Sequence, residues 1–169
     1  QVKAGTIYAL KGDWEYFPGK LADEINGTTG ELVTVEHLWP KNEEGFAYGT
    51  ATYRLTLSGL NPLSSYGIFV RDEASAYRLL INGRTVMYNG VVSKNPSIYK
   101  ADLKTATTVF KSDQNGKAVL VMEIANYDRS VVGGFWNPVM VGSINAIDDY
   151  FTHPAIAQVF IMATMLTLS

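Results

Sequence analysis

The chain has 169 residues, of which 47% are hydrophobic and 18% are charged, a balance typical of one domain with a substantial core. A net charge of -2 provides no basic surface for a phosphate backbone, so nucleic acid is disfavoured as a partner. The absence of cysteine excludes disulfides, thiol catalysis and cysteine-ligated zinc. The two histidines, His37 and His153, lack the spacing of paired zinc ligands.

Short apolar runs separated by turn residues fill the first half of the chain. The pattern predicts strands at 6–10, 14–17, 31–36 and 66–70. Residues 51–57 alternate strictly, which places Tyr53 and Leu55 on one face of a strand and Arg54 on the other. The first half is therefore predicted to be antiparallel β-structure.

Residues 76–90 predict a β-hairpin, because Asn82-Gly83 readily adopts the positive φ angles of a two-residue type I′ turn. A regular register places Leu80 opposite Thr85 and Leu79 opposite Val86. One face is then predicted to carry Tyr77, Leu79, Val86 and Tyr88, and the other to carry Arg78, Leu80, Thr85 and Met87.

The second half continues the pattern. Residues 97–110 are β-prone, Asn115-Gly116 predicts a tight turn, and 118–125 is apolar on both faces, as expected of a central strand. A last short strand is predicted at 138–142. Eight or more short strands with frequent turns predict an all-β fold, a sandwich or jelly roll.

The tail differs from the rest of the chain. Residues 155–168 are uncharged and follow Pro154, which is tolerated in the first turn of a helix. We predict a short C-terminal helix here, either docked on the sandwich or forming the first turns of a transmembrane helix. The second alternative is favoured slightly because the run is apolar on every side. We accordingly divide the chain into a domain at 1–145 and a membrane-proximal segment at 146–169.

The sequence offers little for catalysis. It contains no GxSxG elbow, phosphate loop or dinucleotide fingerprint. Adjacent carboxylates at Glu43-Glu44 and Asp148-Asp149 are more typical of solvated loops than of an acid and base pair. We therefore predict a binding protein rather than an enzyme, with no cofactor and no metal.

Several motifs occur in an order that resembles a known family. They are 49–57, 76–83 with Asn82-Gly83, Asn89-Gly90, Asn126-Tyr127, 133–136 and Gly142. Together they span most of 14–142 and resemble the extracytoplasmic sensor domain of bacterial seven-transmembrane receptors with diverse intracellular signalling modules (7TM-DISM). A more distant likeness is to the galactose-binding jelly roll that precedes the catalytic domain of many β-galactosidase-like enzymes.

The resemblance implies a jelly roll on the periplasmic or extracellular face of the bacterial inner membrane, within an integral membrane protein. Downstream helices would form the membrane bundle, and a carbohydrate would be the ligand class. Under this expectation the segment after Tyr150 approaches the first membrane helix.

A sugar site needs an aromatic face and planar polar groups that hydrogen-bond neighbouring hydroxyls. One loop offers these groups, and two strand arginines are predicted to converge with it. The candidate ligand-binding residues are Arg54, Arg78, Asn126, Asp128, Arg129 and Trp136. Three of them have a structural alternative: Trp136 as a packing anchor, Asn126 as a turn former and Arg78 as a salt-bridged strand residue.

Three functions remain open from the sequence. The first is a sensor module that binds a carbohydrate-like small molecule. The second is an interaction module whose sheet face forms a homodimer or meets another envelope protein. The third is the accessory jelly roll of a glycoside hydrolase.

Overall fold

The computed structural model describes residue 2 and residues 5–128, 133–153 and 159–162. This part of the chain forms β-strands, a short 3-10 helix at Ala22–Glu24 and one α-helix, α1, at Ile144–Thr152. The strands are β1 Ile7–Leu10, β2 Asp13–Pro18, β3 Glu31–Thr34, β4 His37–Leu38, β5 Gly49–Leu57, β6 Ser65–Val70, β7 Ala76–Ile81, β8 Arg84–Asn89, β9 Ala106–Lys111, β10 Ala118–Asn126, β11 Gly134–Phe135, β12 Met140–Gly142 and β13 Val159–Met162. The predicted all-β jelly-roll sandwich is confirmed.

Two sheets enclose the core. The larger has the order β3-β2-β5-β10-β7-β8 and the smaller has the order β13-β1-β12-β6-β9, while β4 and β11 form a separate pair. Trp14, Tyr53 and Leu79 of the larger sheet pack in one cluster with Ile68 and Val141 of the smaller sheet. Each buried side chain of this size contributes about 1.5–3 kcal/mol relative to exposure, so the inner faces hold the sheets together.

The strongest sequence patterns are reproduced by the fold. In β5, Tyr53 and Leu55 lie in the core while Arg54 lies on the opposite, outer face. β10 lies between β5 and β7 and buries Leu120 and Met122 completely. The predicted central strand is therefore confirmed. The β-prone region at 97–110 forms a strand only from Ala106 onward.

The predicted hairpin turn is confirmed, since Asn82 and Gly83 have φ angles of 50° and 77°. Leu80 lies opposite Thr85, as predicted. Beyond that pair the predicted register is wrong, because a β-bulge between Leu79 and Leu80 shifts the pairing and places Leu79 opposite Met87.

The bulge exchanges the two faces of β8. Met87 is buried and its sulfur accepts a hydrogen bond from the Tyr77 hydroxyl at 3.4 Å. Tyr88 lies opposite Arg78 and is 74% exposed. An extra residue in one strand reverses the inward and outward alternation that follows it, so Tyr88 lies on the outer face rather than in the core.

The helix α1 packs on the outer face of the smaller sheet, where Ile147 and Tyr150 contact Phe69 in a second apolar cluster. Gly67 permits this close approach, since a Cβ atom there would lie 2.8 Å from Cβ of Ile147. Glycine is used where another backbone or side chain must approach this closely. The helix is thereby fixed above β6.

The C-terminal helix thus occupies Ile144–Thr152, earlier than the predicted helix at 155–168. Within that predicted segment, Val159–Met162 is a strand that pairs in parallel with β1, so the helix predicted there is wrong over those residues. Positions 155–158 and 163–168 lie outside the described residues. Backbone pairing with a sheet edge replaces the helix that the apolar composition suggested. In the described part of the chain, no helix is long and apolar enough to cross a membrane.

Candidate functional site

The two strand arginines predicted as ligand-binding residues each contact a carboxylate of the protein. Arg54 Nε donates to Glu15 Oε2 at 2.6 Å and Arg54 Nη2 donates to Glu15 Oε1 at 2.8 Å. The same Nη2 donates to the Thr28 carbonyl at 2.8 Å, and the guanidinium lies 5.0 Å from the centre of the Phe17 ring. The hydrogen bond from Arg54 lowers the pKa of Glu15, although partial burial opposes the shift. These contacts occupy the Nε and Nη2 groups of the Arg54 guanidinium.

Arg78 is paired in the same way. Its Nε donates to Glu123 Oε2, and its Nη2 donates to Glu123 Oε1 at 2.9 Å. The Glu123 side chain is fully buried, and its Oε1 also accepts from the Ala22 backbone N–H at 2.7 Å. The loop at 20–22 is also held by Thr52, whose Oγ1 donates to the Lys20 carbonyl at 2.8 Å. Glu123 therefore links Arg78 to this loop.

The predicted loop residues lie elsewhere. Asn126 is fully buried, and its Nδ2 donates to the Ala47 carbonyl at 2.8 Å. Asp128 is exposed and accepts from the Tyr99 hydroxyl at 3.0 Å. Arg129 lies outside the described residues. No hydrogen bond or ion pair of the described residues joins these side chains to Arg54 or Arg78, so the expected convergence is not observed.

Trp136 is fixed through its backbone by a buried carboxylate. Glu73 is 1% exposed, and its Oε2 accepts the N–H groups of Trp136 at 3.0 Å and Asn137 at 3.2 Å. Asn137 Nδ2 donates in turn to the Asp72 carbonyl at 2.7 Å. Burial raises the pKa of Glu73 well above its ordinary value, the Asp72 charge adds to the shift, and the two N–H groups oppose it. The segment at 136–137 is therefore held in one position.

A cleft of about 260 Å³ adjoins this segment. Its floor follows three paired strands of the smaller sheet, because Met140 lies opposite both Ala9 and Phe69. Tyr150 of α1 forms one wall, edge-on to Phe69 with ring centres 5.1 Å apart. Pro138 completes the apolar lining. The cleft thus lies where β1 and β6 end and β12 begins.

Four polar residues surround this apolar floor: Lys11, Glu36, Arg71 and Asn137. Lys11 Nζ lies 3.2 Å from Glu36 Oε1, so these two charges pair with each other. Asn137 uses its Nδ2 on Asp72 and keeps its Oδ1 without a partner among the described residues. Arg71 is exposed and has no acceptor within the described ranges. The cleft therefore contains one guanidinium that is available to a ligand.

Neither this cleft nor Arg71 was among the sites predicted from the sequence. The useful signal was its position: β6 ends at Val70, so the next side chain lies at the rim of the sheet. Lys11 occupies the equivalent position after β1. Polar residues directly after two strands that flank β12 could have indicated a shared site.

The site contains no grouping suited to a metal ion. Among the residues that the structure describes, no three His, Asp or Glu side chains lie close enough together to hold one. His37 instead lies 3.0 Å from the Tyr53 hydroxyl through its Nδ1. The polar groups of the cleft are thus a cation, an ion pair and an amide, which suit hydrogen bonding.

Solved structures share this architecture. A GH2 beta-galacturonidase from Eisenbergiella tayi bound to galacturonate matches with a TM-score of 0.56 at 14% identity, over 82% of this chain and 24% of that chain. A putative beta-galactosidase from Bacteroides fragilis matches with a TM-score of 0.57 at 14% identity, over 80% of this chain and 23% of that chain. The likeness establishes the fold. The chain is similar to about a quarter of each of these proteins.

A beta-glucuronidase from Bacteroides uniformis matches in the same way, with a TM-score of 0.56 at 14% identity over 80% of this chain and 17% of that chain. No protein-family model matches the chain, and no curated protein matches it. The jelly-roll sandwich is thus supported by fold, and the likeness to 7TM-DISM sensors stays a resemblance of motifs.

Proposed function

We propose that this domain is a non-catalytic module that binds a carbohydrate-like small molecule in the cleft between α1 and the ends of β1 and β6. The observation that carries the proposal is the combination of an apolar floor with separate polar groups at its rim. Ligand sites in proteins are concave, mostly apolar and supplied with a few placed polar groups. Phe69 and Met140 supply the floor, and Asn137 and Arg71 supply polar groups.

The size of the cleft favours a small ligand. Its volume of about 260 Å³ is just below the roughly 300–1,000 Å³ of sites for drug-sized ligands. A single sugar ring, with an apolar face and a rim of hydroxyls, matches this volume and this distribution of groups. Longer oligosaccharides would extend out of the cleft.

Two functions of the whole protein are consistent with such a module. The order of motifs favours the sensor domain of a bacterial membrane receptor, on the periplasmic or extracellular face of the inner membrane. The fold shared with part of GH2 enzymes favours an accessory jelly roll of a glycoside hydrolase. Fractionation of the native host separates them, because a receptor sediments with the inner membrane and a secreted hydrolase does not.

The binding proposal is tested by adding neutral and acidic monosaccharides to the isotope-labelled protein and following backbone chemical shifts. We expect saturable shifts at Lys11, Arg71, Asn137 and Tyr150. No response to any sugar would overturn the proposal. Shifts that instead follow protein concentration and map to a sheet face would support self-association.

A matched pair of variants locates the site. Tyr150→Phe removes a wall hydroxyl that has no hydrogen-bond partner among the described residues, and Tyr88→Phe makes the same change on the outer face of the larger sheet. A net hydrogen bond contributes about 0.5–1.5 kcal/mol, so Tyr150→Phe should weaken sugar binding roughly 2- to 10-fold. Tyr88→Phe should leave binding unchanged, and equal losses in both variants would place the site elsewhere.

A further inference from the structure

From the charges around the cleft we infer that its ligand is an acidic sugar, a monosaccharide-sized polyol that carries one carboxylate. The inference deepens the proposed function and rests on it. It depends on Arg71, a residue outside the set predicted from the sequence.

The cleft has a charge that the protein leaves unbalanced. Lys11 and Glu36 cancel each other at 3.2 Å, whereas Arg71 contributes one positive charge with no carboxylate partner in the described part of the chain. Arg54 and Arg78 show how the same side chain behaves when an internal carboxylate is available, because each binds one through its Nε and Nη2 groups. A ligand with one negative charge would balance Arg71 in the same manner.

The shape of the guanidinium favours a carboxylate. Its N–H groups form a planar fork that matches the two oxygens of a carboxylate in a bidentate pair. A doubly charged phosphate would exceed the single unbalanced charge. One carboxylate satisfies both the geometry and the charge.

The remaining lining suits the rest of the sugar. Oδ1 of Asn137 is an acceptor for a ring hydroxyl, and its orientation is fixed by the bond from Nδ2 to the Asp72 carbonyl. Phe69 and Met140 offer an apolar surface to the carbon face of the ring. The carboxylate would therefore lie at Arg71, at the rim, and the ring would lie over the floor.

The test compares galacturonate with galactose, and glucuronate with glucose, since each pair differs in the oxidation of C6. Binding is measured by calorimetry with the wild-type domain, Arg71→Gln, Arg71→Lys and Arg84→Gln. Arg84 is an exposed arginine at the hairpin turn, outside the cleft, so Arg84→Gln makes the same charge change as a control.

We expect at least one acid to bind about tenfold or more tightly than its neutral partner, and Arg71→Gln to abolish that preference. Arg71→Lys should restore it in part, because an ammonium keeps the charge and loses the bidentate fork. Arg84→Gln should behave as wild type. The preference should also decrease at high salt, since Arg71 is exposed and its charge is screened.

Equal binding of acid and neutral sugar, unchanged by Arg71→Gln, would overturn the acidic ligand and leave the proposed function intact. An equal loss in Arg71→Gln and Arg84→Gln would overturn it as well, because general electrostatic attraction would then explain the preference. No binding of any sugar to the wild type would overturn the proposed function itself.

Discussion

The outer face of the larger sheet and the cleft beside the smaller sheet use arginine in opposite ways. On the larger sheet, Arg54 and Arg78 are paired with Glu15 and Glu123 in neighbouring strands. At the cleft, Arg71 has no such partner among the described residues. An outward position on a strand therefore does not by itself make an arginine available to a ligand. Its neighbours across the sheet decide whether it stabilises the fold or remains available.

Among changes to charged side chains, the largest effect is expected from breaking the pair on the larger sheet. Arg78→Ala leaves the fully buried carboxylate of Glu123 without its main partner. Breaking a buried pair costs about 3–5 kcal/mol. Because the Arg78 side chain is itself 43% exposed, we expect a smaller loss of about 2–3 kcal/mol in the free energy of unfolding.

Urea denaturation measures this loss, with Arg71→Ala as the matched variant. Arg71→Ala should change the free energy of unfolding by less than about 0.5 kcal/mol, as is usual for exposed positions. If both variants lose the same stability, the distinction between the two regions is wrong.

A smaller, pH-dependent effect is expected at Glu73, which anchors Asn137 beside the cleft. Its pKa is raised by burial, so the folded state keeps a proton that the unfolded chain releases above about pH 4.5, the ordinary glutamate pKa. The unfolded state then binds fewer protons, and this group's contribution to stability falls as pH rises toward the raised pKa. Below about pH 4.5 Glu73 is protonated in both the folded and the unfolded state, so its ionisation no longer lowers the free energy of unfolding.

Glu73→Gln keeps an acceptor for the N–H groups of Trp136 and Asn137 and cannot ionise. We therefore expect the variant to gain stability over the wild type as pH rises from 4.5, measured as the difference in urea unfolding free energy across the pH range. A difference that stays constant with pH would show that Glu73 does not titrate differently in the two states.

The smallest effect is expected at Tyr88, the exposed aromatic opposite Arg78. Because the bulge places its ring in solvent, Tyr88→Thr should change the unfolding free energy by less than about 0.5 kcal/mol. Met87→Ala in the same strand should cost about 2–5 kcal/mol, since Met87 is buried. Thermal or urea unfolding of the two variants checks the faces of β8, and the reverse order would restore the register predicted from sequence.

Much of the fold followed from local patterns. Strict alternation identified the two faces of β5, an apolar run identified the central strand β10, and Asn82-Gly83 identified the hairpin turn. The bulge at Leu79 was not predictable in this way, because an extra residue has no signal in the alternation of apolar side chains. It shifted Tyr88 and Met87 to the opposite faces.

The candidate site was harder to predict because its properties depend on distant contacts. Arg54 pairs with a residue 39 positions away and Arg78 with one 45 positions away, and neither partner is visible in the local sequence. Nothing in the local sequence indicates a ligand site at Arg71, because its position in the cleft depends on where β1, β12 and α1 lie. The apolar composition of 159–162 predicts a helix, whereas the parallel pairing of this segment with β1 depends on the completed sheet.

The pairing of β1 also has a consequence for synthesis on the ribosome. β1 lies between β12 and β13, so it finds its neighbours only after about 130 further residues have been made. Closing such a long loop is slow. During that interval β1 is unpaired and prone to aggregation. A chaperone that binds nascent chains would therefore protect this strand.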